Sequence, residues 1–308
     1  MPLRHALLAV LVMLVWGGNF VAIDLGVSEV PPLLFVAIRF VLVAFPLVLL
    51  VPRPRGRMRE VLVIGTFMSL GQFTLLYLAL ALGLPSGLAS LLLQAQVVMT
   101  MALAAVALGE RPTRRQLAGA LLGSAGLLVV AGARGSADAV LPVLVVLGAA
   151  LSWAVGNVVS RRAGIRGGLS VVVWSALVVP APAAGLSLLV DGPAAVGEAL
   201  ADFSGTAALS TAYTVYGASL LGYTLWNSLL ARHPAGAVVP FVLLVPPVGL
   251  TCGWVFLGER PSGVELLGAA VALAGVALAT VAPRRRPPGS TRPVGHGTGP
   301  RTVSAATG

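Results

Sequence analysis

The chain is built from apolar runs of about twenty residues, each the length that carries an α-helix across the hydrocarbon core of a bilayer. They fall at 4–24, 33–51, 61–82, 86–108, 115–133, 139–160, 169–190, 205–230, 235–257 and 263–282. Leu, Ala, Val and Gly dominate them, as expected where small residues let helix backbones approach. Only 10% of the 308 residues are charged and 57% are hydrophobic. A soluble domain carries about a quarter charged residues, so this chain cannot cover a water-facing surface. The expected fold is an all-α membrane protein of ten transmembrane helices with the lipid bilayer as its solvent. The first run follows Arg4 but continues through Trp16 to Ile23 without a small-x-small cleavage site, so it reads as a retained helix rather than a signal peptide.

The net charge of +10 comes from Arg alone, since the chain has no Lys. Those arginines cluster between the apolar runs, at Arg53, Arg55, Arg57 and Arg59, at Arg111, Arg114 and Arg115, at Arg161, Arg162 and Arg166, and at Arg284–Arg286. Such clusters set orientation. With the amino terminus inside, nearly every arginine falls on the cytoplasmic side. Glu29, Asp138, Asp191, Glu198, Asp202 and Glu259 then collect outside. The expectation is a plasma-membrane protein (a bacterial inner-membrane one) with both termini cytoplasmic. Nothing gathers the basic residues on one folded face with aromatic readers, so nucleic acid is excluded as a partner. Residues 283–308, beginning PRRRPPGSTRP, hold little that packs and are expected to form a disordered basic cytoplasmic tail.

GERP occurs twice, at Gly109–Pro112 and at Gly258–Pro261. Superposing the two aligns their surroundings: Leu117 with Leu266, Gly119 with Gly268, Gly126 with Gly275, Gly87 with Gly236, and Pro85 with Pro234. The chain thus divides into five-helix repeats, 1–133 and 134–282. Five is odd, so the halves insert with opposite orientation, and the charges agree. Arg114 and Arg115 follow the first GERP on the inside, while Gly263 and Val264 stand at the equivalent places outside. Inverted repeats around one central site are a hallmark of alternating-access transporters.

The segments WGGNFVAIDLG, PPLLFVAIRFVLVAFP, PSGLASLLLQAQ, LGERP, QLAGALLG, LSWAVGNVVSRR, VVWSAL and LLVPPVGL carry a further resemblance. Over residues 5–282 they resemble the drug/metabolite transporter superfamily in its EamA branch, and most of all the O-acetylserine/cysteine exporter subgroup. The resemblance implies inner-membrane export of cysteine, O-acetylserine or related amino-acid metabolites. Export of other amino acids, analogues or drugs is the alternative. Asp24 departs from the family, whose members often carry a basic residue there.

Polar residues inside the spans are the candidate substrate contacts. Gln94 and Gln96, two apart on a helix, point about 200° from each other. One is expected to line a path and the other to bond a neighbouring helix. Pro246 and Pro247 fall near the middle of the ninth span, where paired prolines bare backbone carbonyls and irregular backbone lines cavities. Trp16, Asn19, Trp153 and Asn157 occupy the first helix of each half. Gln72, Tyr77, Tyr213, Tyr216, Tyr223, Trp226 and Asn227 add polar or amphipathic surface in the third and eighth helices, Tyr77 and Trp226 being the candidate contacts among them. Arg39 lies about seven residues, roughly 10 Å, inside its span. It is read as structural or gating, pairing with Asp24 or snorkelling outward, in preference to attracting a substrate carboxylate. Glu110 and Glu259 in the GERP turns are expected to hold their own corners by local pairing with arginine. No span contains paired carboxylates, a metal-ligand cluster or a Ser/His/Asp set, and His5, His233 and His296 lie near span ends or in the tail. An embedded enzyme is therefore disfavoured, and no cofactor or metal is expected. Cys252, the single cysteine, forms no intramolecular disulfide.

Overall fold

In hydrocarbon every backbone N–H and C=O must be bonded within the protein, which forces an apolar run into a helix. The computed structural model describes residues 1–133, 137–165 and 168–280; Arg134, Arg166 and the basic tail lie outside the described residues. Among these residues there is no β-strand. Nine helices among the described residues are long and apolar enough to cross a membrane. We number the long helices α1 (Leu3–Val27), α2 (Pro32–Leu50), α3 (Met58–Ala81), α4 (Ser86–Leu108), α5 (Arg114–Gly132), α6 (Ala137–Arg162), α7 (Leu169–Val190), α8 (205–232), α9 (Val239–Leu257) and α10 (Gly263–Thr280). The tenth, α8, is continuously helical but not apolar enough to count among the nine. Thr206, Ser210, Thr211, Tyr213, Thr214, Ser219 and Asn227 dilute it, and Ser210, Thr211, Thr214 and Ser219 are buried against protein rather than turned to lipid. The segment between α7 and α8 holds a short helix at Gly192–Ala201. The outward faces are apolar, as with Leu7 and Leu14 on α1 and Val255 and Phe256 on α9. That is a bilayer protein's distribution: apolar to lipid, polar to the interior.

The repeat is visible in backbone detail. Gly109 and Gly258 each end a helix in the left-handed region, at φ +68° and +66°. In each turn the following Glu N–H bonds six residues back, Glu110 to Ala104 and Glu259 to Gly253. Such C-caps need glycine, because a Cβ there clashes with the backbone. Each turn then opens the next helix with a reciprocal cap. Thr113 and Gln116 bond each other's backbone N–H, and so do Ser262 and Glu265.

Irregular backbone also recurs at matching positions. The third helix of each half has a π-helical segment, Thr66–Gly71 and Tyr213–Gly222. The fourth helix of each half is interrupted, after Leu92 in α4 and by the tight turns Val239–Leu244 in α9. The halves pack by exchange. α1 lies on α8 and α9, α6 lies on α3 and α4, and α2 meets α7. α5 and α10 form a close antiparallel pair through glycines. A Cβ on Gly126 would sit 2.3 Å from Ala272 N, and one on Gly275 would sit 2.1 Å from Gly123 N.

Candidate functional site

A cavity of about 390 Å³ lies at the middle of this exchange, within the range of small-molecule sites. Its wall includes Trp16, Asn19, Gln94, Gln96, Trp153, Asn157 and Trp226, contributed by α1, α4, α6 and α8. These residues are far apart in the chain, and the crossing of each half's first helix with elements of the other brings them together. Seven of the ten candidate contacts therefore share one wall.

Gln94 and Gln96 both face this cavity. The expectation that they diverge assumed a regular α-helix. Between Leu92 and Ala95 the chain instead tightens: Gln94 N–H bonds Leu91 O at 2.9 Å, and Gln96 N–H bonds Leu93 O at 3.1 Å. These are three-residue bonds. Winding at about three residues per turn brings positions two apart to about 120° of each other instead of 160°. Neither amide has a hydrogen-bond partner among the described residues.

Pro246 and Pro247 lie near the middle of α9, where the tight turns Val239–Leu244 pass into the α-helical segment Val245–Leu257. Having no N–H, they leave Leu243 O without a donor three or four residues on, but neither proline lines the cavity. Pro246 is buried and Pro247 exposed, and Val239, Val242 and Val245 supply the α9 contacts to the cavity. Tyr77 is wholly buried behind the wall, where its hydroxyl accepts from Arg39 Nη1 at 2.9 Å.

Arg39 neither pairs with Asp24 nor reaches outward. Its side chain is 1% exposed and lines the cavity. Ser219 Oγ accepts from Arg39 Nε at 3.3 Å and from Nη2 at 3.0 Å, and the guanidinium lies over the Phe73 ring at 4.3 Å. The serine is held in place because its own hydroxyl donates to Thr214 O across the π-helical turn, at 2.8 Å. Among the described residues, the one salt bridge joins Arg161 to Glu110, and no carboxylate faces Arg39. A buried cation without a counter-charge is expensive.

Gln72, Phe73 and Tyr223, none of them among the ten candidate contacts, also line the wall. The glutamine had a legible signal, a lone amide in an apolar span. Tyr223 had one too, an amphipathic ring in the eighth span, whereas nothing in the sequence separated Phe73 from an ordinary packing residue. Asn19 and Gln72 are 7% and 4% exposed, and Asn19 Oδ1 and Gln72 Oε1 have no hydrogen-bond partner among the described residues. Trp16 packs on Tyr223 and Trp226, with ring centroids 5.2 and 5.5 Å away. Its Nε1–H donates to Ala218 O at 3.0 Å, a carbonyl of the π-helical segment. The other half repeats the arrangement, because Ser152 Oγ donates to Phe67 O at 2.7 Å.

The two ends of the bundle differ. A second cavity of about 260 Å³ shares Phe73, Trp153, Asn157, Tyr223 and Trp226 with the first. It shares Gly168 and Val171 with an open cleft that Arg53 and Arg55 line. At the other end Glu259 clasps the start of α4, its Oε1 accepting from Ser86 N–H at 2.5 Å and its Oε2 from Gly87 N–H at 3.0 Å. Glu110 pairs with Arg161 on α6. Both GERP glutamates thus act across the two halves, not within their own corners. No group of three metal-ligating side chains occurs among the described residues.

The EamA-like transporter family model matches residues 3–132 and again 140–281, nearly the whole chain in two copies. The chain belongs to the EamA-like transporter family. Like its family, it is a multi-pass membrane transporter rather than an enzyme. Among the relatives of this EamA-like chain is a probable amino-acid metabolite efflux pump of Salmonella typhimurium, 42% identical over 90% of this chain and 94% of that protein. A protein of the same description in Escherichia coli K12 is 39% identical over the same shares. A probable terminal-alkyne amino-acid exporter of Streptantibioticus cattleyicolor is 32% identical over 87% of this chain and 91% of its own length. One solved crystal structure shares 25% identity and a TM-score of 0.58, covering 92% of this chain and 99% of that one.

Proposed function

We propose that this EamA-like transporter exports small amino-acid metabolites from the bacterial cytoplasm by alternating access. The observation that carries the reading is the central cavity, walled by both halves and holding buried polar groups without partners. Such groups are costly in hydrocarbon unless a ligand or water satisfies them. Three relatives whose names refer to amino-acid or amino-acid-metabolite export support the cargo class. Cysteine and O-acetylserine are the cargo proposed first, and other amino acids, analogues or drugs the alternative.

The architecture proposed is ten spans in two inverted repeats, 1–133 and 134–282, with both termini cytoplasmic in the inner membrane. The recurring caps, π-helical segments and antiparallel α5–α10 pair support it. In this orientation the cleft at Arg53 and Arg55 is the cytoplasmic mouth and the Glu259 clasp is the closed outer end. Cargo enters through the adjoining cavities, the half-bundles rock, and the clasp releases. No carboxylate lines the central cavity, so the export proposed runs down the substrate gradient or couples to protons elsewhere.

The test is efflux of labelled cysteine and O-acetylserine from loaded cells with and without the protein, beside Gln94→Ala and Gln96→Ala. Faster efflux with the wild type, lost in a glutamine variant of equal membrane abundance, is the expected result. Equal efflux of both solutes with and without the protein would remove the cargo assignment.

A further inference from the structure

We propose that the central cavity reads a zwitterion, with Arg39 seating the carboxylate and the amide oxygens of Asn19 and Gln72 seating the ammonium. The inference rests on the export reading and names the charge pattern its cargo must carry. Arg39 has five N–H donors. Three of its hydrogen bonds go to Tyr77 and Ser219, which leaves donors over while the residue lines the cavity. Both partners are neutral hydroxyls, so they orient the planar guanidinium without cancelling its charge. A carboxylate matches that fork in geometry and in sign. Asn19 and Gln72 line the same wall, and neither side-chain oxygen is bonded among the described residues, so each amide can turn about its last torsion to present an acceptor, the complement of an ammonium. Sulfate, phosphate or a simple carboxylate satisfies only the arginine, and an amine satisfies only the oxygens. A ligand with both groups satisfies all three, and the Trp16, Trp153 and Trp226 rings leave apolar surface for a short side chain.

The test uses the full chain in nanodiscs, with tryptophan emission as the readout because three tryptophans line the site. The probes are O-acetyl-L-serine, propionate (carboxylate only) and cysteamine (ammonium only). O-acetyl-L-serine is expected to bind best. Arg39→Gln is expected to weaken it and propionate by about 10- to 100-fold, the worth of a hydrogen bond to a charged group, and to leave cysteamine unchanged. Arg39→Lys is expected to recover part of the propionate binding, which loss of a packing residue does not predict. Asn19→Leu with Gln72→Leu is expected to weaken O-acetyl-L-serine and cysteamine but not propionate. The proposal is overturned if folded Arg39→Gln protein keeps the wild-type order of affinities, or if no probe binds the wild type. The export reading fails separately. If the charge-split pattern holds but labelled O-acetylserine leaves cells equally with and without the protein, the zwitterion site stands and the exporter does not. If Arg39→Gln exports O-acetylserine with wild-type KM, the exporter stands and the arginine seat does not.

Discussion

A polar side chain inside a bilayer helix is satisfied by a neighbouring helix, by its own backbone, or by whatever enters a cavity. The residues of this chain divide along those lines. Trp16 and Ser152 each donate to a carbonyl of a π-helical segment, so they tie helices together. Asn157 Nδ2 donates to Thr100 Oγ1 at 3.4 Å, a longer and weaker tie between α6 and α4. Asn19, Gln72, Gln94 and Gln96 have no such partner and line the cavity. Tyr77 belongs to the first group, as an acceptor for Arg39. Tyr77→Phe leaves that guanidinium one partner short in a buried place, and is expected to cost about 1–3 kcal/mol. Thermal unfolding of the purified protein in detergent measures it. Unchanged stability would show that Tyr77 does not hold Arg39.

The helices owe their relative positions to where they are irregular and where they are thin. In α3 and α8 the π-helical segments free carbonyls for side chains of the opposite half's first helix, which docks the halves. In α5 and α10, glycines bring two backbones nearly into contact. Gly126→Val puts a side chain where Ala272 N already stands at 2.3 Å from a Cβ, and backbone cannot yield as a flexible side chain can. Loss of folded protein is expected, read as the monodisperse peak in detergent size exclusion. Gly185, in α7, has nothing within 4 Å of an added Cβ. Gly185→Ala is expected to be neutral or to stabilise by up to about 1 kcal/mol. A Gly126→Val protein that folds as well as Gly185→Ala would remove the role given to the α5–α10 contact.

At the scale of the whole molecule the two ends are unequal, and each inequality is testable. Glu259 offers a charged acceptor to two backbone N–H groups of α4. Glu259→Gln keeps the size and removes the charge, so the clasp is expected to open more often. In a Cys252→Ala background, Ser86→Cys is expected to react several-fold faster with a membrane-impermeant maleimide when Glu259→Gln is added. Equal rates would show that the glutamate does not hold that end shut. Orientation has its own measurement in the same background. Asp191→Cys is expected to label in intact cells, and Arg55→Cys only in inverted vesicles. The reverse pattern would turn the proposed topology over and make the arginine-lined cleft the outer mouth.

Apolar run length and the arginine clusters were enough to read a polytopic helical protein, and the doubled GERP was enough to read its repeat. Both signals are local or periodic, and a bilayer leaves the backbone no alternative to helix. The cavity was half legible. Lone amides and tryptophans in apolar spans stand out as costly, but no pattern in one dimension says which helices face one another. The tertiary structure decided three matters. It brought Gln94 and Gln96 to one wall, because a local tightening of α4 changes the angle between them. It set Pro246 and Pro247 where tight turns pass into α-helix within α9, and kept both out of the cavity wall. It enclosed Arg39 among Tyr77, Ser219 and Phe73, drawn from two other helices, and so left a buried cation with no anion of the protein's own beside it among the described residues.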